Sequence, residues 1–151
     1  LGMRKAVVFG GLLLVLGHLG MAFEGHAATR IDGQVVRDDA ALGITYLSLA
    51  LIIMGVGFLK PNISTIVGQL YPQGDPRRDS GFTLYYYGIN LGAFWAAVLC
   101  GLLGQTVGWW AGFGLAGVGM ALGLIVFVLG KPLLCGRGEA PDAAALAKPV
   151  W

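Results

Sequence analysis

Four long apolar runs, separated by shorter polar segments, account for most of the chain. The runs cover residues 6–23, 42–70, 81–107 and 111–130. A transmembrane helix needs about 20 predominantly apolar residues, so each run predicts a membrane-spanning helix. The pattern therefore predicts an all-α integral membrane protein with four transmembrane helices.

The second run is the longest of the four. As one helix of about 30 residues it would extend roughly 45 Å, which exceeds the hydrocarbon thickness of a bilayer, about 30 Å. Such a helix has to tilt, project beyond the membrane or kink. Pro61 is the obvious position for a kink, because proline removes one backbone donor.

Composition excludes an ordinary soluble domain. Apolar residues make up 56% of the chain and charged residues 12%, whereas soluble domains are about one quarter charged. The 26 glycines suit helices that pack closely in a membrane. No basic patch is dense enough to indicate nucleic acid binding. The two cysteines, Cys100 and Cys135, have no metal-binding or disulfide spacing, and we expect neither metal nor cofactor.

The lysines and arginines predict the orientation of the chain. With an even number of spans, both ends lie on the same side of the membrane. That side would hold most of the basic residues: Arg4, Lys5, Arg77, Arg78, Lys131, Arg137 and Lys148. The opposite side would hold Arg30 and Arg37, accompanied by acids in the same loop. Because cytoplasmic loops are enriched in Lys and Arg, we expect a multi-pass protein of the cell inner membrane with cytoplasmic ends.

One glycine motif invites a nucleotide-binding interpretation. Gly112, Gly114 and Gly117 match the spacing GxGxxG. The motif needs a preceding strand, but here it lies inside an uncharged apolar run. Helix packing through small residues explains it better. Other glycines lie nearby at spacings of four: Gly104, Gly108 and Gly112, then Gly119 and Gly123.

Lys60 is the charged residue of the second run. A lysine near the middle of a span costs about 2.5–3.5 kcal/mol on insertion scales, so it normally faces a cavity or an opposite charge. Its side of the predicted helix is small and polar: Gly57, Lys60, Pro61, Ser64 and Gly68. No carboxylate lies inside any of the four runs, so we expect its partner in protein beyond this chain. The alternative is a lysine that snorkels to the interface.

The third run carries a second polar face. Thr83, Tyr86, Tyr87 and Asn90 lie on one side at helical spacing. A buried asparagine needs hydrogen-bond partners. Together with the Lys60 ammonium, these groups suit a peptide, which carries amides and charged termini. The alternative is hydrogen bonding between helices.

These two polar faces carry a family resemblance. Residues 55–64 (GVGFLKPNIS) and 82–92 (FTLYYYGINLG) resemble the proton-dependent oligopeptide transporter family (POT/PTR2) of the major facilitator superfamily. The first residues, LGMRK, resemble the end of the loop before that family's third helix. The resemblance covers nearly the whole chain.

The resemblance implies a fold and a function. Residues 1–130 would form helices three to six of the N-terminal six-helix bundle, and residues 131–151 would begin a cytoplasmic linker to the C-terminal half. Lys60 matches a lysine that contributes to proton coupling and substrate binding. Asn90 matches an asparagine that contacts the peptide, and Tyr86 the tyrosine one turn before it. The implied partners are di- and tripeptides, protons, membrane lipid and the remainder of the transporter.

The chain also departs from the family pattern. The acidic and arginine motif of the family's first helix, ExxER, is absent, and the chain begins at Leu1 rather than Met. We therefore expect a truncated chain that is inactive alone. One alternative is a freestanding four-helix membrane protein, such as a small channel or an assembly factor. A membrane enzyme is not expected, because the runs hold no nucleophile, metal cluster or paired acids.

Overall fold

The computed structural model of the chain describes residues 2–23, 25 and 28–140. Within this part the chain forms four long helices, one short hairpin and a final helical turn. In chain order these are α1 (Met3–Met21), β1 (Thr29–Ile31), β2 (Gln34–Val36), α2 (Asp39–Leu70), α3 (Arg78–Thr106), α4 (Trp109–Leu129) and a 3₁₀ turn (Lys131–Leu134). Each of the four helices is long and apolar enough to cross a membrane. The predicted class of four transmembrane helices is confirmed.

All four helices begin before the apolar runs do, α4 by two residues at Trp109. Helices α1, α2 and α3 each start three residues earlier than the runs at 6, 42 and 81. At α2 the reason is a capping contact: the Asp38 carboxylate accepts a hydrogen bond from the Ala41 amide at 3.0 Å. Hydropathy marks only the apolar part of a helix, while its polar first turn extends toward the membrane surface.

Helix α2 continues through Pro61 without interruption. Its 32 residues correspond to about 48 Å, which exceeds the thickness of the hydrocarbon core. Pro61 has no amide hydrogen to donate, but its carbonyl accepts hydrogen bonds from the Ser64 hydroxyl at 3.0 Å and the Thr65 hydroxyl at 2.8 Å. The carbonyl that loses its donor is that of Gly57, one turn earlier, so these hydroxyls do not replace the missing bond.

The four helices pack in an order that differs from their order in the chain. Helix α1 lies between α2 and α4, and α3 packs against α4. Helices α2 and α3 touch each other only sparsely. The arrangement leaves an open cleft between α2 and α3.

Small residues bring α1 and α2 into backbone contact. A Cβ atom added at Gly10 would lie 2.7 Å from the Gly55 carbonyl oxygen, and one at Gly55 would lie 2.8 Å from the Gly10 carbonyl oxygen. Further along, a Cβ at Gly17 would lie 2.9 Å from the Ser48 carbonyl oxygen. Since real Cβ atoms do not approach oxygen this closely, the helix pair requires glycine at these positions.

The GxGxxG match in α4 is part of this packing. Gly112 faces the Cys100 carbonyl oxygen of α3, which a Cβ would approach to 2.6 Å, and Gly117 faces the Leu19 side chain of α1. Gly114 has open space beside it. Two glycines of the motif therefore support helix contacts, as the packing interpretation expected. Of the glycines spaced by four, Gly104 packs against Trp109 in the same way, whereas Gly119 and Gly123 have no neighbour there among the described residues.

A small hairpin occupies the loop between α1 and α2. Strands β1 and β2 are antiparallel, with Ile31 paired to Gln34, and the turn residues Asp32 and Gly33 have φ angles of 49° and 79°. Positive φ at both central positions is the geometry of a type I′ turn, for which Asp-Gly is a preferred sequence. The segment was expected to be a polar loop without strands, although Asp32 and Gly33 carry this turn signal.

The loop between α2 and α3 is held by one ion pair. Asp75 accepts a hydrogen bond from the Arg77 amide at 2.9 Å and from its guanidinium at 2.9 and 3.1 Å. These bonds lower the pKa of Asp75 below its ordinary value. The carboxylate therefore stays ionised, and paired with Arg77, well below neutral pH.

The segment after α4 folds back onto the ends of α1 and α2. The Arg4 amide donates to the Gly138 carbonyl at 2.9 Å, and the Arg4 guanidinium donates to the Arg137 carbonyl at 2.6 Å and to Glu139 Oε1 at 2.5 Å. The Gly138 amide donates to Gln69 Oε1 at 3.0 Å. Residues 131–140 of the predicted linker thus pack against the bundle, and residues 141–151 lie outside the described part.

The glycine contact predicts a difference between two Gly→Ala variants. Gly10→Ala should destabilise the protein, because the new methyl group has no room against the α2 backbone. Overpacking of this kind typically costs about 1–3 kcal/mol. Gly43→Ala, in α2 with open space beside it, should be neutral or slightly stabilising. Thermal unfolding of the purified protein in detergent measures both, and equal Tm values for the two variants would contradict the packing argument.

Candidate functional site

A cleft of about 330 Å³ lies between α2 and α3. Its walls come from both helices: Lys60, Pro61, Ser64, Tyr85, Tyr86 and Ile89. It is the gap left by the sparse contact between these helices. Of the three residues predicted to bind substrate, Lys60 and Tyr86 line it and Asn90 does not. Lys60 and Tyr86 are brought together, although they lie on different helices.

Lys60 faces this cleft because α1 occupies the neighbouring side of α2. A Cβ atom at Gly10 of α1 would lie 2.9 Å from both Phe58 Cβ and the Leu59 amide nitrogen. The next residues, Lys60 and Pro61, are turned away from α1 and are exposed. Within the described part of the chain no carboxylate pairs with Lys60. A partner in the rest of a longer protein therefore stays a prediction.

Two adjacent tyrosines form the α3 wall. The rings of Tyr85 and Tyr86 meet edge to face, with centroids 5.4 Å apart. Tyr85 was missed in the sequence analysis, which placed Thr83, Tyr86 and Tyr87 on the polar face. Tyr85 and Ile89 are four residues apart and therefore share a helix face. That spacing was the available signal, but it does not say which face meets α2.

Asn90 does not line this cleft. Its side-chain amide donates to the Tyr86 carbonyl, one turn earlier in the same helix, at 2.8 Å. Its carboxamide oxygen has no hydrogen-bond partner among the described residues, and the residue is exposed. The structure thus places Asn90 one turn beyond Tyr86, with an acceptor free for another group.

A second polar cleft continues the first toward the ends of the helices. Its volume is about 590 Å³, and Ser64 lines both clefts. The other lining residues are mostly polar: Thr65, Gly68, Gln69, Tyr71, Pro72, Gln73, Arg78, Phe82 and Arg137. The two clefts together extend along α2, from Lys60 to the loop after that helix.

The chemistry of these clefts suits a polar solute with charged ends. The Lys60 ammonium can bind a carboxylate, and the tyrosine hydroxyls and the Asn90 carboxamide can bind amide groups. Among the residues that the structure describes, no cluster of His, Cys, Asp or Glu could hold a metal ion. Four helices able to span a membrane, with a cleft lined by lysine and tyrosine between two of them, define a multi-pass membrane protein.

The comparison with known families agrees with this class. Residues 4–144 match the model of the POT family (PTR2), and the chain belongs to that family.

Individual relatives support the same assignment. The chain is 44% identical over 128 residues to the uncharacterized transporter YclF of Bacillus subtilis (strain 168), which covers 85% of this chain and 23% of that protein. It is 42% identical over 138 residues to the di-/tripeptide transporter of Lactobacillus helveticus, with 85% and 25% of the two chains covered. The chain thus spans about a quarter of the length of these relatives.

The fold agrees with that of a solved peptide transporter. A crystal structure of a POT peptide transporter in complex with sulfate superimposes with a TM-score of 0.79 at 41% sequence identity. The match covers 96% of this chain and 27% of that chain. The four helices therefore belong to the major facilitator fold of this family.

Proposed function

We propose that this chain is part of a transporter that carries di- and tripeptides together with protons across the cell inner membrane. The observation that carries the proposal is the cleft in which Lys60 and Tyr86 meet. It is supported by membership of the POT family and by likeness to a di-/tripeptide transporter. The chain acts in this proposal by moving a solute and not as an enzyme.

The substrate would bind with its polar groups along α2 and α3. The Lys60 ammonium is placed to attract a peptide carboxylate, and the Tyr86 hydroxyl lies in the same cleft. The unpaired oxygen of Asn90 would accept a hydrogen bond from a peptide amide one turn away. Because Asn90 lies outside the cleft between α2 and α3, a peptide that contacts both Lys60 and Asn90 would extend along α3 beyond that cleft.

Lys60 would also couple the peptide to the proton. An exposed ammonium with no described carboxylate partner is suited to pair with an acid on another helix of the transporter. Proton binding to that acid, together with peptide binding, would break the pair and release the two halves to rock around the site.

The charge distribution supports one orientation of the chain in the membrane. The starts of α1 and α3 and the ends of α2 and α4 lie at one membrane face, where Arg4, Arg77 and Lys131 are found. By the enrichment of basic residues in cytoplasmic loops, this face is proposed to be cytoplasmic and the hairpin to be external.

The orientation predicts the labelling of two loops. In a protein with Cys100 and Cys135 replaced by serine, Gln34→Cys in the hairpin should react with an impermeant maleimide added outside intact cells. Gln73→Cys, in the loop between α2 and α3, should react only after the membrane is permeabilised. Labelling of position 34 solely from the cytoplasmic side would reverse the topology.

The role of Asn90 predicts weaker peptide binding when its side chain is shortened. Asn90→Ala in the full-length protein should reduce the affinity for peptide by about 1–3 kcal/mol, the typical cost of leaving a buried partner unsatisfied. Asn62→Ala is a matched control, because Asn62 donates the same kind of bond to the Phe58 carbonyl four residues earlier, at 2.6 Å. Uptake measured as a function of peptide concentration gives the apparent affinity of each variant for peptide. Equal losses in both variants would assign Asn90 a role in the helix only.

The role of Lys60 predicts a split between two transport assays. Lys60→Ala should abolish proton-driven uptake, while exchange of labelled peptide across the membrane, which needs no gradient, should suffer less. Lys60→Arg keeps the charge but replaces the compact ammonium with a planar guanidinium, so it should restore uptake poorly. Both assays are made on reconstituted full-length protein at matched expression. Uptake by Lys60→Ala at the wild-type rate would show that the lysine only reaches to the interface.

A further inference from the structure

A separate cavity of about 360 Å³ lies where the start of α1 meets the end of α4 and the segment that follows it, residues 131–140, called here the returning segment. Its lining is dominated by charged and glycine residues: Gly2, Arg4, Lys5, Lys131, Gly138, Glu139 and Ala140. It shares no lining residue with the clefts between α2 and α3, so it is distinct from the proposed peptide site.

The cavity carries an excess of positive charge. Three cations line it, against one carboxylate. That carboxylate, Glu139, bonds one nitrogen of Arg4 and keeps 62% of its side chain exposed. The Arg4 side chain is only 12% exposed, and its other terminal nitrogen, Nη2, is buried with no hydrogen-bond partner among the described residues. Arg4 is fixed at the wall of the cavity by Glu139 and by the Arg137 carbonyl. Lys5 and Lys131 carry charges that no described carboxylate pairs with, and a bound anion would face them.

The start of α1 adds to the attraction for an anion. Gly2 provides no side-chain cap, and the first turn of α1 contains no acidic residue. The partial positive charge of the helix N-terminus is therefore not offset by an acid of the first turn. With Arg4 and Lys5 in that turn, helix dipole and side chains act in the same direction.

The position of the cavity indicates a lipid as the source of the anion. Helices α1 and α4 contain 19 and 21 residues, or about 28 and 31 Å, so their charged ends lie at the level of the headgroups. Beside Lys131 the outer surface is strongly apolar: Val126, Leu129 and Leu133 are 70%, 73% and 83% exposed. A phosphate in the cavity would thus have acyl chains beside these residues.

We propose that this cavity binds the phosphate of an anionic phospholipid headgroup, held by Arg4, Lys5 and Lys131. Glu139 opposes that anion and limits its affinity. A lipid bound here contacts α1, the end of α4 and the segment that follows α4, at the point where the three meet.

The test measures lipid binding to the full-length protein by native mass spectrometry, with phosphatidylglycerol as the probe and phosphatidylcholine as the reference. Lys5→Gln and Lys131→Gln should each weaken phosphatidylglycerol binding about fivefold, the effect of one basic residue near a membrane surface. Glu139→Gln should strengthen it, because the neutral side chain keeps an oxygen for Arg4. Arg4 itself is left intact, since its bonds hold the returning segment.

Arg77→Gln is the matched control. It removes one positive charge from the same membrane face, but Arg77 lies outside the cavity and pairs with Asp75, so phosphatidylglycerol binding should not change. Unchanged Tm values in phosphatidylcholine would verify that the variants fold. Equal weakening by Arg77→Gln, no preference for phosphatidylglycerol, or equally strong competition by inorganic phosphate would each overturn the lipid assignment.

Discussion

The backbone contact between Gly10 of α1 and Gly55 of α2 fixes the arrangement on which the site depends. In a bilayer, apolar side chains gain little by leaving lipid for one another, so helices associate through close packing of small residues. Here α1 covers the side of α2 that includes Phe58 and Leu59. Lys60 and Ser64 are consequently left on the side that faces α3. A bulkier residue at position 10 would push α1 away from α2 and so change the contact that directs Lys60 toward α3.

The fold was largely predictable from the sequence because hydropathy marks lipid-spanning segments strongly. The four helices follow from their apolar runs, but their first turns do not, since a cap such as Asp38 lies among polar residues. The hairpin was missed, although Asp32-Gly33 is a sequence typical of its turn. For glycine, spacing identifies residues capable of close packing without showing which neighbour they meet. Gly112 and Gly119 look alike in sequence, yet only Gly112 touches another backbone among the described residues.

The candidate site likewise contains residues that the sequence could identify and residues that it could not. Lys60 could be singled out because a charge inside an apolar run is rare and costly. Tyr85 could not, because three consecutive tyrosines point in different directions and only the packing of α2 selects among them. The hydrogen bond of Asn90 to its own helix also depends on a rotamer that spacing does not specify. Residue type thus predicts the chemistry, while tertiary contacts determine which groups share the cleft.

The uneven packing of the four helices has a mechanical consequence. Helix α1 is locked to α2 at the level of the backbone and also packs against α4, so these three helices form a stiff unit. The seam between α2 and α3 has few atoms in contact, and each lost pair of atoms costs only about 0.1–0.2 kcal/mol in dispersion energy. The seam is therefore compliant: its width can change at little elastic cost while the stiff unit keeps its shape. Lys60 and Tyr86 stand on opposite sides of that seam, so a change in its width changes the distance between them.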